Sequence, residues 1–561
     1  MQKKWTVRRD CRGMETNEII EAILEDRGVE DAHALLYPEE DCLIPFEEMK
    51  NIDKAAQIIL DGIEKGKKFL VYYDTDQDGV ASGTIAYRWL KANGANVSWT
   101  INKGKEHGIA SADPAVLAEA DILWIVDSIE TRMYPYENAF NFGVEQIIIS
   151  DHHLCSKSMQ KQMERTGRIT LVSSAVGYPN PDAAGAVVTW KLCSYMDWLN
   201  LEDYSDDLVD LAAVGCIADM TSVGVESLEN RYVCYKGFNN QVNPAIKKIN
   251  GSYEFNSTAV SFGIATLTNA ANRTNENEKA VNLFLSDDTK EISQLVNALK
   301  DCKEYQNAEI IELMPQLEEQ AEAQMDKKVM FFFVETENEI KGLLGNKLCE
   351  KFSRPVIVLS ERIEVNEDTG EIIRNEWFGS ARAVGVKNFK AYMDATGMVG
   401  TGGHENACGL WLDVEVLDNF RDALEESLKD VEFVQETTVD IQINQDQITD
   451  DLIKKIKALN RISGQGWPQI TVMVSGITDY EVGAMSGLKH LKLIADNGKL
   501  LYIKWNFNSD WNQFNGPVSV IGSLDSGFFG RTYYRQLIMN DWRLDNEEDS
   551  RYNNTKLMTG W

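Results

Sequence analysis

Three short apolar runs in this chain of 561 residues end abruptly in acid. Phe69-Leu70-Val71-Tyr72-Tyr73 runs into Asp74-Thr75-Asp76-Gln77-Asp78-Gly79. Ile122 to Val126 runs into Asp127, and Ile147-Ile148-Ile149-Ser150 runs into Asp151-His152-His153. The chain holds six histidines, and two of them sit side by side behind Asp151. Crowded carboxylates repel one another unless a cation neutralises them, and a donor set of oxygens and imidazole suits a divalent ion. The first acidic cluster is not an EF-hand loop. A strand pattern precedes it, and the twelfth position from Asp74 is Ile85, where a bidentate glutamate is needed. A strand-to-helix turn fits better, with Gly79 permitting the turn and a helix from Ala81 to Ala92. Asp219, in Ala218-Asp219-Met220-Thr221 after a helical pattern from Asp207 to Ile217, is either a helix cap or a fourth carboxylate of the same site.

These residues meet only if the runs that carry them lie side by side. Strands apolar throughout belong to parallel sheets covered on both faces, and such sheets place ligands at the carboxyl ends of their strands. Three strands ending in acid or imidazole at one edge would make one metal site. Val97 to Ile101 adds a further strand. The loop after it, Asn102-Lys103-Gly104-Lys105-Glu106-His107-Gly108, is basic and glycine-bearing. It either brings Lys103 and Lys105 to a phosphate or is a solvated surface loop. Ala183 to Val187 opens a helix that runs to about Trp198, its small residues allowing close packing.

At this length one hydrophobic core does not suffice. Residues 1–55 read as helical, with a helix from Asn17 to Leu36 and another from Met49 to Lys65. Residues 275–328 read as long helices with Pro315 kinking the second, charged between apolar stripes as a connector would be. A second α/β domain follows from Val329, with Val356 to Leu359 as a strand. In it, Gly379-Ser380-Ala381-Arg382 and Gly402-Gly403-His404 let backbone amides, a hydroxyl and cations converge on an anion. From 431 onward short strands read as a small β-barrel, with Trp505, Phe507, Trp511 and Phe514 either packing its core or stacking bases.

The net charge of −32 excludes a non-specific nucleic-acid coat, although a metal site of carboxylates is itself acidic. No apolar run reaches 18 residues, which argues against a membrane span, and the N-terminal residues do not read as a secretory signal. Nine cysteines without a C-x-x-C pair fit reduced thiols in a cytoplasmic protein.

Taken together, the acid and histidine motifs resemble those of the DHH phosphoesterase superfamily, and within it the RecJ single-strand nucleases. Asp74 to Gly79 is similar to the first motif of that family, Asp127 to the second, Asp151-His152-His153 to the third and Asp219 to the fourth. Gly379 to Arg382 and Gly402 to His404 resemble the DHH-associated domain. Gly464-Gln465-Gly466 with Pro468, and Gly530 with Gln536 to Asp541, resemble the OB-type barrel that follows. The resemblance spans roughly residues 35 to 545. It implies an α/β multidomain chain: an N-terminal helical segment (1–55), a parallel-sheet DHH catalytic domain (56–274), connecting helices (275–328), a smaller α/β DHH-associated substrate-binding domain (329–430), an OB-like barrel (431–545) and a tail (546–561).

By the same resemblance the activity is metal-dependent 5′-to-3′ exonuclease action on single-stranded DNA, in recombination or repair, with two Mn²⁺ ions or Mg²⁺. Asp76, Asp78, Asp127, His152 and Asp219 would be ligands, with Asp74 and His153 beside them and Asp151 orienting or activating the site. Ser380 and Arg382 would hold a terminal phosphate, and His404 would stabilise charge on the scissile one. A single-strand-binding protein or a helicase would be a fitting partner. Many members carry a histidine four residues before the aspartate matched by Asp76, where this chain has Tyr72. Two other readings remain open: a phosphodiesterase of short RNA oligomers or cyclic dinucleotides, and a non-catalytic nucleic-acid-binding subunit.

Overall fold

The computed structural model describes residues 2–102, 107–336, 338–365, 372–485, 489–507, 514 and 516–545. It divides into two compact units. One joins Gly28–Gln306 with Leu459–Gln469; the other joins Met1–Arg27, Asn307–Ala458 and Ile470–Trp561.

The first unit is built on a five-stranded parallel sheet in the order Asn96–Ile101, Lys68–Tyr73, Ile122–Val126, Gln146–Asp151, Ile169–Ser173. The apolar runs are explained by burial on both faces. Leu70, Leu123, Ile125, Ile147 and Ile149 join one core with Tyr136, Met159 and Met163. The alternate residues Val71, Tyr73, Trp124 and Ile148 are buried on the other side. There helix Gln77–Ala92 comes so close that a Cβ on Gly83 would lie 2.3 Å from the Tyr73 ring. The chain leaves Lys68–Tyr73 to one side and returns to the other, so this strand stands at the topological switch point, where α/β sheets place their ligands. Ile169–Ser173 follows helix Lys157–Thr166 and its C-cap Gly167 as a fifth strand that the acid-terminated pattern does not single out, since it ends in Ser173.

In the second unit, a five-stranded sheet runs in the order Gly400–His404, Ala407–Asp413, Ile372–Arg382, Val356–Val365, Met330–Phe333, mostly antiparallel. An eight-stranded sheet holds the β-rich C-terminal region. Among the described residues it stays open, with Gln2–Asp10 and Tyr480–Met485 at its edges, so no closed barrel forms. Gln2–Asp10 corrects the helical reading of residues 1–55: it pairs in parallel with Val434–Ile443, a partner more than 400 residues away that no local period reveals. Helices do follow, at Thr16–Asp26, Ala32–Leu36 and Ile52–Glu64, the first with Glu15 at its N-cap. The connecting region holds helix Asn277–Leu285 and one continuous helix Thr289–Glu322 that includes Pro315. Phe507 and Phe514 are buried and Trp505 is exposed; Trp511 and the tail 546–561 lie outside the described residues.

Candidate metal centre

The acids converge at the carboxyl edge of the parallel sheet. Asp74 follows strand Lys68–Tyr73, Asp127 follows Ile122–Val126, and Asp151 is the last residue of Gln146–Asp151. Asp76 caps helix Gln77–Ala92, its Oδ1 accepting from Gly79 N at 3.0 Å. Asp219 ends helix Val209–Ala218. Three sets of donor atoms lie within 4.8 Å of one another: Asp74, Asp76 and Asp127; Asp78, His152 and Asp219; and Asp127, Asp151, His152 and His153.

At the centre, His152 Nε2 stands 3.3 Å from Asp127 Oδ1 and 3.5 Å from Asp219 Oδ2. Both His152 Nε2 and Asp127 Oδ1 are buried and lack a hydrogen-bond partner. Buried polar atoms are ordinarily paired, so two orphan donor atoms that converge among acids fit a shared cation. Asp127 reaches this position from a left-handed backbone, φ 53°, a conformation that costs an aspartate energy and is retained where surroundings demand it. Neighbouring glycines leave room for the acids. A Cβ on Gly185 would lie 2.6 Å from Asp127 Oδ1, one on Gly215 2.3 Å from Asp78 Oδ1, and one on Gly79 2.4 Å from Asp74 Cβ.

The carboxylates differ in how they are held. Asp78 accepts from Gly185 N at 2.7 Å and Ala186 N at 3.0 Å, the first amides of helix Gly185–Asn200, so the helix N-terminus faces its charge. Asp151, fully buried, accepts from His152 N at 2.6 Å, His153 N at 2.8 Å, His153 Nδ1 at 2.8 Å and Ile129 N at 2.5 Å. Burial alone would raise its pKa, but the hydrogen bond and charge of His153 hold it at about 2. Four donors thus surround its two oxygens, and it orients the turn and the His153 ring. His153, in spite of burial, is pushed up to about 9 by Asp151 and then Asp74. Burial first, with neighbouring acids behind it, raises four other aspartates. Asp76 rises to about 6 through burial and Asp74, and Asp219 to about 6 through burial and Asp78. Asp78 rises to about 6 through burial although His152 opposes it, and Asp127 is raised well above its ordinary value by burial, Asp78 and Asp76. The donor set fits divalent cations: oxygens and one imidazole, sharing a negative charge that burial alone resists.

Two contributors escape sequence reasoning. His107 Nδ1 lies 2.8 Å from Asp74 Oδ1, and its ring sits edge-on to His153, centroids 4.8 Å apart. The segment Gly464-Gln465-Gly466 belongs to this unit and not to the β-rich region. It pairs with the turn just beyond Asp219, Ser222 opposite Gln465, with Val223 N donating to Gln465 O at 2.9 Å. A Cβ on Gly466 (φ +71°) would lie 2.3 Å from Ser222 Oγ. Lys103 and Lys105 lie outside the described residues.

The anion-binding candidates lie in the other unit. Ser380, Gly409 and Gly402 are opposite one another on three adjacent strands, as are Arg382, Ala407 and His404. Opposed residues share a face, so Ser380, Arg382, Gly402 and His404 line one side of the sheet, with only Gly409 and Ala407 between them; Gly403 alternates to the other side. Arg382 Nη1 donates to Ala381 O at 2.7 Å, and among the described residues it makes no ion pair. Burial lowers its pKa.

This sheet, with acids and imidazoles along one edge, defines the class. The chain belongs to the DHH family: residues 68–216 match the DHH family, N-terminal domain, and residues 277–430 match the DHHA1 domain. Within that family it is of the RecJ type. It is 25% identical over 549 residues to a putative SPbeta prophage-derived single-strand DNA-specific exonuclease of Bacillus subtilis, covering 91% of this chain and 92% of that protein. It is 25% identical over 562 residues to the single-stranded-DNA-specific exonuclease RecJ of the same species, covering 94% and 68%. The crystal structure of RecJ from Thermus thermophilus in complex with Mn²⁺ shares its fold, with a TM-score of 0.77 at 21% identity over 97% of this chain and 80% of that one. Among the described residues no helix is long and apolar enough to cross a membrane, and all nine cysteines are free.

Proposed function

We propose that the chain hydrolyses phosphodiester bonds of single-stranded DNA stepwise from the 5′ end, using two divalent cations held by Asp76, Asp78, Asp127, His152 and Asp219, with Asp74 beside them. The observation that carries this reading is the pair of buried, unpartnered atoms His152 Nε2 and Asp127 Oδ1, 3.3 Å apart within a ring of acids. The relatives' printed names support single-stranded DNA as substrate, and Mn²⁺ or Mg²⁺ accompanies related structures.

Cations bound here supply water activation and neutralise charge that develops on the phosphate. The protein's own part is placement. Asp151 holds the backbone of His152 and His153 through their amides and keeps His153 Nδ1 engaged, which leaves His153 Nε2 as the edge free to meet a phosphate oxygen. The first amides of helix Gly185–Asn200 hold Asp78. In the second unit, the Arg382 guanidinium, which makes no ion pair among the described residues, the Ser380 hydroxyl and the Gly402 and Gly403 amides are suited to a phosphate, with His404 on the same face as Arg382. A cytoplasmic setting and a single-strand-binding protein or helicase as partner go with this reading.

The test is digestion of a long single-stranded DNA labelled at either end, with Mn²⁺, Mg²⁺ or EDTA. Stepwise loss from the 5′ end in metal, absent in His152→Ala, is expected. Internal cuts, loss from the 3′ end, or full activity in EDTA would overturn the proposal. A faster rate on dinucleotides than on long strands would favour the short-oligomer reading.

A further inference from the structure

We propose that His107 is a positioning residue of the metal centre: with Ser128 it engages one oxygen of Asp74 and so aims the other at the cation pocket shared with Asp76 and Asp127. The inference rests on the metal-centre reading and extends it to a residue outside the acid and histidine motifs.

The argument begins at Asp74. Its Oδ1 receives two hydrogen bonds, from His107 Nδ1 at 2.8 Å and Ser128 Oγ at 2.8 Å. Among the described residues no donor reaches Oδ2. A carboxylate held by one oxygen through two donors has little rotational freedom, and its second oxygen is the one left to ligate. Asp74 is 6% exposed and lies within 4.8 Å, donor atom to donor atom, of Asp76 and Asp127. Partners that orient metal-binding carboxylates from behind are a common second layer of such sites.

The segment His107–Ile109 is fixed from several sides, as a positioning element must be. Gly108 N donates to Ser128 Oγ at 2.8 Å, so the same hydroxyl ties the loop and the acid together. Asn102 Nδ2 donates to Gly108 O at 2.7 Å, and Ile109 N donates to Glu130 Oε1 at 2.6 Å. Tyr72 OH donates to Asn102 Oδ1. Tyr72 thus serves the site indirectly, by holding the asparagine that holds the loop. Gly108 takes φ +83°, and a Cβ there would lie 2.4 Å from Glu130 Oε1, so both its conformation and its surroundings require glycine. His107 itself is partly exposed, its side chain 42% accessible, while the residues directly after it are tied down.

The experiment is calorimetric titration of the full chain with MnCl₂ at about pH 7.5, with the melting temperature of the metal-free form measured in parallel. Wild type is expected to take up two ions. In His107→Ala one of them should bind about 10- to 100-fold more weakly, the other unchanged, and the metal-free melting temperature should stay near wild type. Ser128→Ala should weaken the same ion. His107→Asn, whose amide can still donate to Asp74, should recover most of the loss. Unchanged binding of both ions in His107→Ala overturns the inference, as does equal weakening of both with a fall in melting temperature that His107→Asn does not repair. A wild-type protein that binds no Mn²⁺ overturns the metal-centre reading and this inference with it.

Discussion

Replacing Asp219 by asparagine should stabilise the metal-free protein while removing a proposed metal ligand. Asp219 is suited to the experiment because among the described residues its carboxylate makes no hydrogen bond, His152 Nε2 standing 3.5 Å away, so the substitution breaks none. Burial and then Asp78 raise its pKa from 3.8 to about 6. A carboxyl group raised in this way costs the folded state nothing below about pH 4, where it is protonated whether folded or not. The cost grows between about pH 4 and 6 and is complete above, where folding must bury a charge that the unfolded chain bears freely. A pKa raised from 3.8 to about 6 corresponds to about 3 kcal/mol at roughly 1.4 kcal/mol per pH unit. The side chain is 27% exposed, and screening reduces this to about 1–2 kcal/mol. For a unit of this size that is about 2–6 °C in melting temperature. Calorimetry in EDTA should therefore show the variant melting higher at pH 8 and level with wild type near pH 4. Adding Mn²⁺ at about 100 times its Kd should stabilise wild type by about 2.7 kcal/mol per site and the variant by much less. A variant that melts lower than wild type at pH 8, or gains as much from Mn²⁺, would refute the reasoning.

Gly185→Ala should weaken Mn²⁺ binding in titration and lower stability by about 1–3 kcal/mol, because the new Cβ would lie 2.6–2.8 Å from three atoms of Asp127. Asp151→Asn should destabilise by about 3 kcal/mol or more, since an amide cannot accept from all the donors that surround this carboxylate; denaturant unfolding reads it. The stability Asp151 contributes is present above about pH 4 and is lost as pH falls toward 2, so the gap between variant and wild type should close in acid. Mn²⁺ binding should release more protons at pH 5.5 than at pH 8, because Asp76, Asp78 and Asp219 are held up to about 6 and must lose their protons to ligate. Titration in buffers of different ionisation enthalpy measures the difference.

The metal centre was legible because its signal is local: each acid stands directly behind the apolar run that becomes its strand, and apolar runs of that kind imply a parallel sheet. What could not be read depends on distant partners. Nothing near Asp78 reveals that its acceptors will be filled by Gly185 and Ala186, 107 and 108 residues away. His107 stands in a loop whose basic residues draw attention to phosphate, and only the fold brings its ring to Asp74. The Gly464–Gly466 turn follows the strand pattern that opens the β-rich region, but its backbone pairs with Ser222, so its place is beside Asp219. The in-register alignment of Ser380 with Gly402 through Gly409 depends on strand pairing, although both glycine-bearing motifs were visible separately. Tyr72 stands where a histidine is common and reads as a tuning of the metal site; in the structure it is buried and holds Asn102, which in turn holds Gly108 beside His107.

The acidity of the chain and the anionic substrate proposed for it are compatible because attraction and chemistry reside on different residues. At the sheet edge, carboxylates lie within 4.8 Å of one another. At an effective dielectric constant of about 20, a like-charge pair at that distance repels by about 3.5 kcal/mol. A phosphate entering the same pocket would meet repulsion of similar size from each ionised acid. The cluster therefore admits substrate only after its own charge has been balanced, which makes metal occupancy a precondition of productive binding as well as of hydrolysis. On the proposed reading, cationic recognition falls to His153 beside the acids and, in the second unit, to Arg382 and His404 on one side of their sheet, where helix Lys341–Phe352 packs close to Arg382. A net charge of −32 thus suppresses indiscriminate binding to nucleic acid.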